Sequence, residues 1–149
     1  MWVIFEGLDK VGKGTLEREF LKAVNYKHIV VDRGPIGYLI FDQLFGRETF
    51  KSKKDFLAEA EFVSKSDNFA VILCSASEVV VNERLIAHGE TLPYDFKTAH
   101  KLYLDNVNKY YNPDRLWLLD TSTRSIEDCV QIIVKFVKNL EEGKRAHEL

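Results

Sequence analysis

Four short apolar runs recur along the chain, at 2–6, 28–32, 69–74 and 115–119, and helical spacing fills the stretches between them. The runs are continuous rather than alternating. Phe69-Ala70-Val71-Ile72-Leu73-Cys74 has no charged position, which fits a strand covered on both faces. After the first run, Leu16, Phe20, Leu21 and Val24 mark a helix. Further helices are expected over 36–45 (Ile36, Leu39, Ile40, Leu44), 53–66 (Phe56, Leu57, Ala60, Val63), 77–88 (Val81, Leu85, Ile86) and 96–111 (Phe96, Ala99, Tyr103, Val107, Tyr110). The clearest helix is about 125–141, where Ile126, Val130, Ile133, Val134, Val137 and Leu140 repeat at three and four. Ser125 with Asp128 resembles a capping box at its start. Strands alternating with helices predict an α/β architecture, a parallel sheet of about four strands wrapped on both faces. Ligands in such a sheet bind beyond the carboxyl ends of the strands.

Composition narrows the picture only modestly. A chain of 149 residues, 46% hydrophobic and 30% charged, is expected to form one domain with one core, 1–149, ending in a polar tail at 142–149 that frays. The net charge of −2 advertises no global basic field for nucleic acid. No apolar run approaches the ~20 residues that cross a bilayer, so no membrane partner is expected. Cys74 and Cys129 lie in apolar surroundings and no secretory n-region opens the chain. Buried, reduced thiols and a cytoplasmic setting are therefore expected.

The chemistry gathers at strand ends. Gly7-Leu8-Asp9-Lys10-Val11-Gly12-Lys13-Gly14-Thr15 stands between the first strand and the first helix, the context that makes a glycine loop a phosphate cradle. Gly7 and Gly12 let the backbone curl with its N–H groups inward, and the following helix adds its N-terminus to the anion site. Lys13 brings a full charge to the β- and γ-phosphates. Gly14 sits where Ser or Thr normally offers Mg²⁺ a hydroxyl, and a hydroxyl appears one place later, at Thr15. Asp32-Arg33-Gly34-Pro35 ends the second strand. Asp32 is suited to hold Mg²⁺ through water or to orient an attacking group, and Arg33 to clamp a phosphate with two prongs. Asp120-Thr121-Ser122 follows the fourth strand.

Phe5-Glu6-Gly7-Leu8-Asp9-Lys10-Val11-Gly12-Lys13 resembles the Phe-Glu-Gly-x-Asp-x-x-Gly-Lys opening of thymidylate kinases and phage deoxynucleoside monophosphate kinases. Asp32-Arg33-Gly34 resembles their second motif, Gly12-Lys13-Gly14-Thr15 the form found in adenylate kinases, and Glu83-Arg84 through Gly89 the segment where the lid begins. The resemblance implies a three-layer P-loop kinase fold with chain order 2-1-3-4 and a short lid at about 84–98. It implies ATP and Mg²⁺ as cofactors. Gly7, Val11, Gly12, Lys13, Gly14, Thr15, Arg84 and Thr121 would bind the donor, with Arg84 stacking on adenine. Asp32 and Thr15 would serve the metal. Arg33 would hold the acceptor phosphate and Asp9 the acceptor sugar. Lys10 would be a catalytic cation, which suits His88 standing where a lid arginine is expected. The catalytic set is then Lys13, Asp32, Arg33, Lys10 and Asp9.

One departure matters. Only residues 14–31 separate Lys13 from Asp32, where the family places another strand and further helices that grip the monophosphate and base. Tyr38, Phe41 and Phe45, or Tyr103, Tyr110 and Tyr111, are candidates to replace that wall, although core packing is the simpler expectation for aromatics at helical spacing. The expected function is an ATP-dependent phosphotransferase acting on a pyrimidine deoxynucleotide, first as a deoxynucleoside monophosphate kinase. The alternatives are a kinase acting on a hydroxyl, of a nucleoside or of a modified pyrimidine such as 5-hydroxymethyluracil within DNA, and last a non-catalytic nucleotide-binding protein. The partner is accordingly a small nucleotide or DNA, with a homodimer compatible and the host cytoplasm the setting if the chain is phage-encoded. Arg47, Lys51, Lys53 and Lys54 form a basic segment for which a solvated helix start is favoured over a nucleic-acid contact.

Overall fold

The computed structural model describes residues 1–48 and 50–144. Four parallel strands form one sheet in the order β2-β1-β3-β4: β1 (Trp2–Glu6), β2 (Ile29–Asp32), β3 (Phe69–Ser75) and β4 (Leu116–Asp120). This is the architecture and strand order expected. The apolar runs differ by their place in it. Central β1 is buried from Val3 onward and β3 from Ala70 to Cys74, whereas edge strand β2 is half-exposed along its length. The helices are α1 (Lys13–Ala23), α2 (Pro35–Phe45), α3 (Lys53–Lys65), α4 (Glu78–Ala87), α5 (Phe96–Tyr110) and α6 (Ile126–Glu141). α1 packs on α6, and α2, α3 and α5 pack on one another. Right-handed crossovers put these two groups on opposite faces of the sheet.

Local chemistry explains the ends. Gly12 precedes α1 with φ 89° and no side-chain cap, so the first-turn N–H groups stay available. Pro35 opens α2, where its fixed φ and missing N–H cost nothing. Asp95 caps α5 by accepting from Thr98 N at 3.0 Å. The capping box expected at Ser125 is made on one side, Ser125 Oγ accepting from Asp128 N at 3.0 Å. A reciprocal box forms instead at Ser52 and Asp55, at the start of the basic segment. A short 3-10 turn, Pro113–Arg115, precedes β4 and moves its start to Leu116. Within the expected tail, Lys144 N donates to Asn139 O at 2.9 Å with Gly143 at φ 72°, a Schellman-type close to α6. The rest of that tail, 145–149, lies outside the described residues. Cys74 and Cys129 are both buried and free. No helix among the described residues is long and apolar enough to cross a membrane.

Candidate active site

The carboxyl ends of β1 and β2 lie side by side, so the loop after β1 meets the Asp32-Arg33 pair after β2. Close packing shapes the loop. Gly7 has φ 148°, and a Cβ there would sit 2.6 Å from Cys74 O of the neighbouring strand, so only glycine fits. Lys10, with φ 65°, also takes the left-handed conformation, an uncommon state for a side chain that clusters at functional turns. Thr121 Oγ1 braces the loop from β4, donating to Val11 O at 2.6 Å. Gly14 is different. A Cβ there would meet nothing nearer than Arg18 Nη1 at 3.6 Å, so no crowding excludes a serine.

Lys13 Nζ lies 3.1 Å from Asp32 Oδ1. One helical turn after Lys13, Glu17 meets the same Asp32 carboxyl. Burial, then the hydrogen bond and the charge of Asp32, push Glu17 up to about 8. Burial alone would raise Asp32 too, but the hydrogen bond from Glu17 and the charge of Lys13 outweigh it and hold Asp32 low. Of the two carboxyls, Glu17 holds its proton more tightly than Asp32. Glu17 Oε1 is shut off from solvent with no hydrogen-bond partner among the described residues.

Asp32 and Glu17 offer hard oxygen donors of the kind Mg²⁺ takes. Thr15 does not join them. It is two residues from both Lys13 and Glu17, hence on another side of α1. It lines a cavity of about 260 Å³ together with Gly12, Arg84, His88, Thr121 and Arg124. Thr15 thus lies with Arg84 and Thr121 around this cavity, while Asp32 meets Lys13 and Glu17. Among the described residues, no three or more His, Cys, Asp or Glu gather into a metal cage. The residues present suit a metal held mainly by phosphates and water, with Asp32 as its carboxylate.

Arg33 has φ 67° and is pinned by its N–H, which donates to Phe5 O at 2.9 Å. Its guanidinium lies 4.1 Å over the Phe41 ring, a cation–π contact. Its Nε is buried without a hydrogen-bond partner among the described residues. Phe41 contacts Phe45 and Tyr94, ring centroids 6.2 and 6.1 Å apart. Of the aromatics proposed as an acceptor wall, Phe41, Phe45 and Tyr38 gather near Arg33, although Phe41 is buried and Tyr38 also stacks on Phe56. Tyr103 and Tyr111 are core residues.

Residues 88–95 link α4 to α5 and reach back over the phosphate loop. Lys10 Nζ pairs with Glu90 Oε1 at 3.1 Å, Arg84 Nη1 donates to Lys10 O at 2.6 Å, and Tyr94 donates its hydroxyl to Asp9 Oδ2 at 3.0 Å. Burial, then the Asp9 charge, raise the Tyr94 phenol and keep it a donor. His88 Nδ1 lies 2.8 Å from Arg84 O, closing α4. Two members of the basic segment are paired locally. Arg47 Nε sits 3.6 Å from Asp42 Oδ1, and Lys51 pairs with Glu59. A groove of about 800 Å³ between α3 and α5, with Lys53, Lys54, Lys65 and Lys109 on its rim, includes none of the strand-end residues.

Glu6, Glu17, Glu90, Tyr94 and Arg124 were not singled out from sequence as site residues. Glu6 carried a readable signal, a charge inside an apolar strand. Glu17 carried another, its spacing of four from Lys13. The other three face the site only because the lid and the loop after β4 fold over it.

Sheet order, glycine loop and strand-end pair together define the fold of P-loop nucleotide kinases. No family model matches the chain, and no curated protein matches its sequence. Solved structures share its fold. The YorR protein of Bacillus subtilis, in complex with phosphorylated GDP, superposes with a TM-score of 0.74 at 15% identity, over 95% of this chain and 98% of that one. Thymidylate kinase from Candida albicans superposes with a TM-score of 0.61 at 12% identity, over 99% of this chain and 93% of that one.

Proposed function

We propose that this chain is an ATP-dependent phosphotransferase for a pyrimidine deoxynucleotide, first of all a deoxynucleoside monophosphate kinase. The observation that carries this reading is Arg33, an arginine held in the left-handed conformation with its guanidinium over Phe41, at the strand end beside a glycine loop whose lysine is already paired to Asp32. Two anion sites at neighbouring strand ends suit a donor and an acceptor that both carry phosphate. The entire chain reads as one kinase domain, with 88–95 as the core of its lid.

In this reading the donor's adenine lies in the cavity by Arg84 and Thr121, and its phosphates on the loop amides and Lys13. Lys13 exchanges Asp32 for the phosphates. Asp32, released from that pair, would hold Mg²⁺, which when bound would stabilise the negative charge that builds on the donor phosphates. Arg33 aligns the acceptor phosphate, and Asp9 with Tyr94 contacts its sugar. The attacking oxygen of a monophosphate is already ionised, so no base is required. Lys10, freed from Glu90, offsets charge in transfer. Catalysis is then positioning and electrostatics.

A second reading is favoured by one feature. β2 is the sheet edge and Asp32, at its carboxyl end, is exposed; among the described residues no strand lies beyond it. A polymer can reach such a site, and the acceptor is then a hydroxyl of a modified pyrimidine in DNA, with Asp32 or Asp9 taking its proton. Labelled ATP and Mg²⁺, offered with nucleosides, deoxynucleoside monophosphates and DNAs with and without 5-hydroxymethyluracil, separate the readings by where the label goes. Transfer to thymidine monophosphate supports the first, and transfer to modified DNA supports the second. Label that leaves ATP for no acceptor overturns both. Activity on DNA should also fall steeply between about 50 and 200 mM salt.

A further inference from the structure

Glu6 is the last residue of β1 and is fully buried, a rare position for a carboxylate. Four donors converge on it. Tyr103 donates its hydroxyl to Oε1 at 2.7 Å and Tyr111 to Oε2 at 2.6 Å. Gly34 N donates to Oε1 at 2.9 Å, and Gly37 N reaches both oxygens at 3.1 Å. Gly34 caps α2 and Gly37 lies in its first turn, so the carboxylate also sits at the positive end of a helix. Both tyrosines are buried, and burial with the charge of Glu6 holds their phenols in the donor form.

The residue enclosed by these bonds is Arg33. It precedes Gly34 directly, in the left-handed conformation that strains a non-glycine residue. The fit around it has no slack. A Cβ on Gly37 would lie 2.5 Å from Arg33 Cγ, from Glu6 Oε1 and from the Tyr103 hydroxyl. A Cβ on Gly34 would lie 2.6 Å from Ile4 Cγ2 and 3.0 Å from Glu6 Oε2. A carboxylate used only to fill a core would not need two glycines pressed against it.

We propose that Glu6 is the positioning residue for Arg33. By holding the N–H groups of Gly34 and Gly37, it fixes the left-handed backbone that lays the Arg33 guanidinium across Phe41, the setting from which Arg33 meets the acceptor phosphate. Tyr103 and Tyr111 tie that setting to α5, the helix that follows the lid. This rests on the reading of Arg33 as the acceptor-phosphate arginine.

The test is a double-mutant cycle of Glu6→Gln with Arg33→Ala, assayed with ATP, Mg²⁺ and thymidine monophosphate. Glu6→Gln keeps the size of the side chain but places an NH₂ against groups that donate. It should raise KM for the acceptor about 10-fold, with kcat changed less and ATP affinity, read by calorimetry, unchanged. On an Arg33→Ala background it should add almost nothing, since coupled residues are not additive. Independent, multiplying effects, or equal losses for ATP and acceptor, would overturn the proposal and leave Glu6 a structural acceptor. If Arg33→Ala leaves the acceptor KM unchanged, the reading of Arg33 itself fails. Tyr111→Phe removes one donor and retains the carboxylate. Should Glu6→Gln not fold, a smaller rise in acceptor KM for Tyr111→Phe, again absent without Arg33, carries the same conclusion, and no rise refutes it.

Discussion

Lys13 Nζ and Asp32 Oδ1 are 3.1 Å apart, so the lysine of the glycine loop is already paired with a carboxylate that, in the proposed function, it exchanges for the donor phosphates. Lys13→Ala should lower the transfer rate by at least ~10²-fold, by analogy with loss of a preorganised charge contact. Asp32→Asn distinguishes the acceptors. With a hydroxyl acceptor it removes a proton acceptor typically worth ~10²–10⁴-fold, provided Asp32 rather than Asp9 is the base. With a phosphate acceptor the loss acts through the metal, and excess Mg²⁺ should partly restore turnover. Initial rates across a Mg²⁺ titration check both.

The lid predicts a competition. Glu90 occupies Lys10, the loop cation, in an exposed pair. Glu90→Gln should free Lys10 and tighten ATP binding by about two- to fivefold, the scale of an exposed ion pair of up to ~1 kcal/mol. Calorimetry with a non-hydrolysable ATP analogue at low salt measures it, and the gain should shrink as salt rises.

Glycines in this chain should respond unequally to substitution. Gly37→Ala drives a methyl into Arg33, Glu6 and Tyr103 and should cost about 3 kcal/mol or more. Gly46 has open space but a φ of 61°, so Gly46→Ala should cost about 1 kcal/mol. Gly14→Ser meets only Arg18 at 3.6 Å and should leave stability within ~0.5 kcal/mol. Urea unfolding of the three variants gives the order directly.

Acid should loosen the helix starts. In Asp95, hydrogen bonds from Thr98 lower the carboxyl from its ordinary 3.8. Hydrogen bonds from Ser52 lower Asp55 likewise. A carboxyl depressed in the folded state binds fewer protons there than in the unfolded chain. Its stabilisation is present above 3.8 and is lost as pH falls through the lower folded value. Thermal midpoints should therefore drop below about pH 4, and Asp95→Asn should flatten part of that drop while lowering stability at neutral pH.

Much of the fold was readable because continuous apolar runs allow little but buried parallel strands, and strands alternating with helices leave few topologies. The glycine loop was readable for a related reason. Gly7, Gly12 and Lys13 are neighbours in the chain, and the turn they make is local. Asp32 and Arg33 followed because a parallel sheet collects strand ends on one side. Whether Thr15 shared a metal with Asp32 was another matter. It depended on how α1 is rotated against the sheet, and the structure turned Thr15 to the donor cavity and Glu17 to Asp32. Glu6 shows the limit most plainly. Alone it is one charge in an apolar strand. Its partners Tyr103 and Tyr111 lie about a hundred residues away, and only the packing of α2 and α5 on β1 brings their donors together around it. Local backbone chemistry was written in the sequence. The partners of buried charges, and the direction in which Arg33 points, came from long-range packing that residue order does not express.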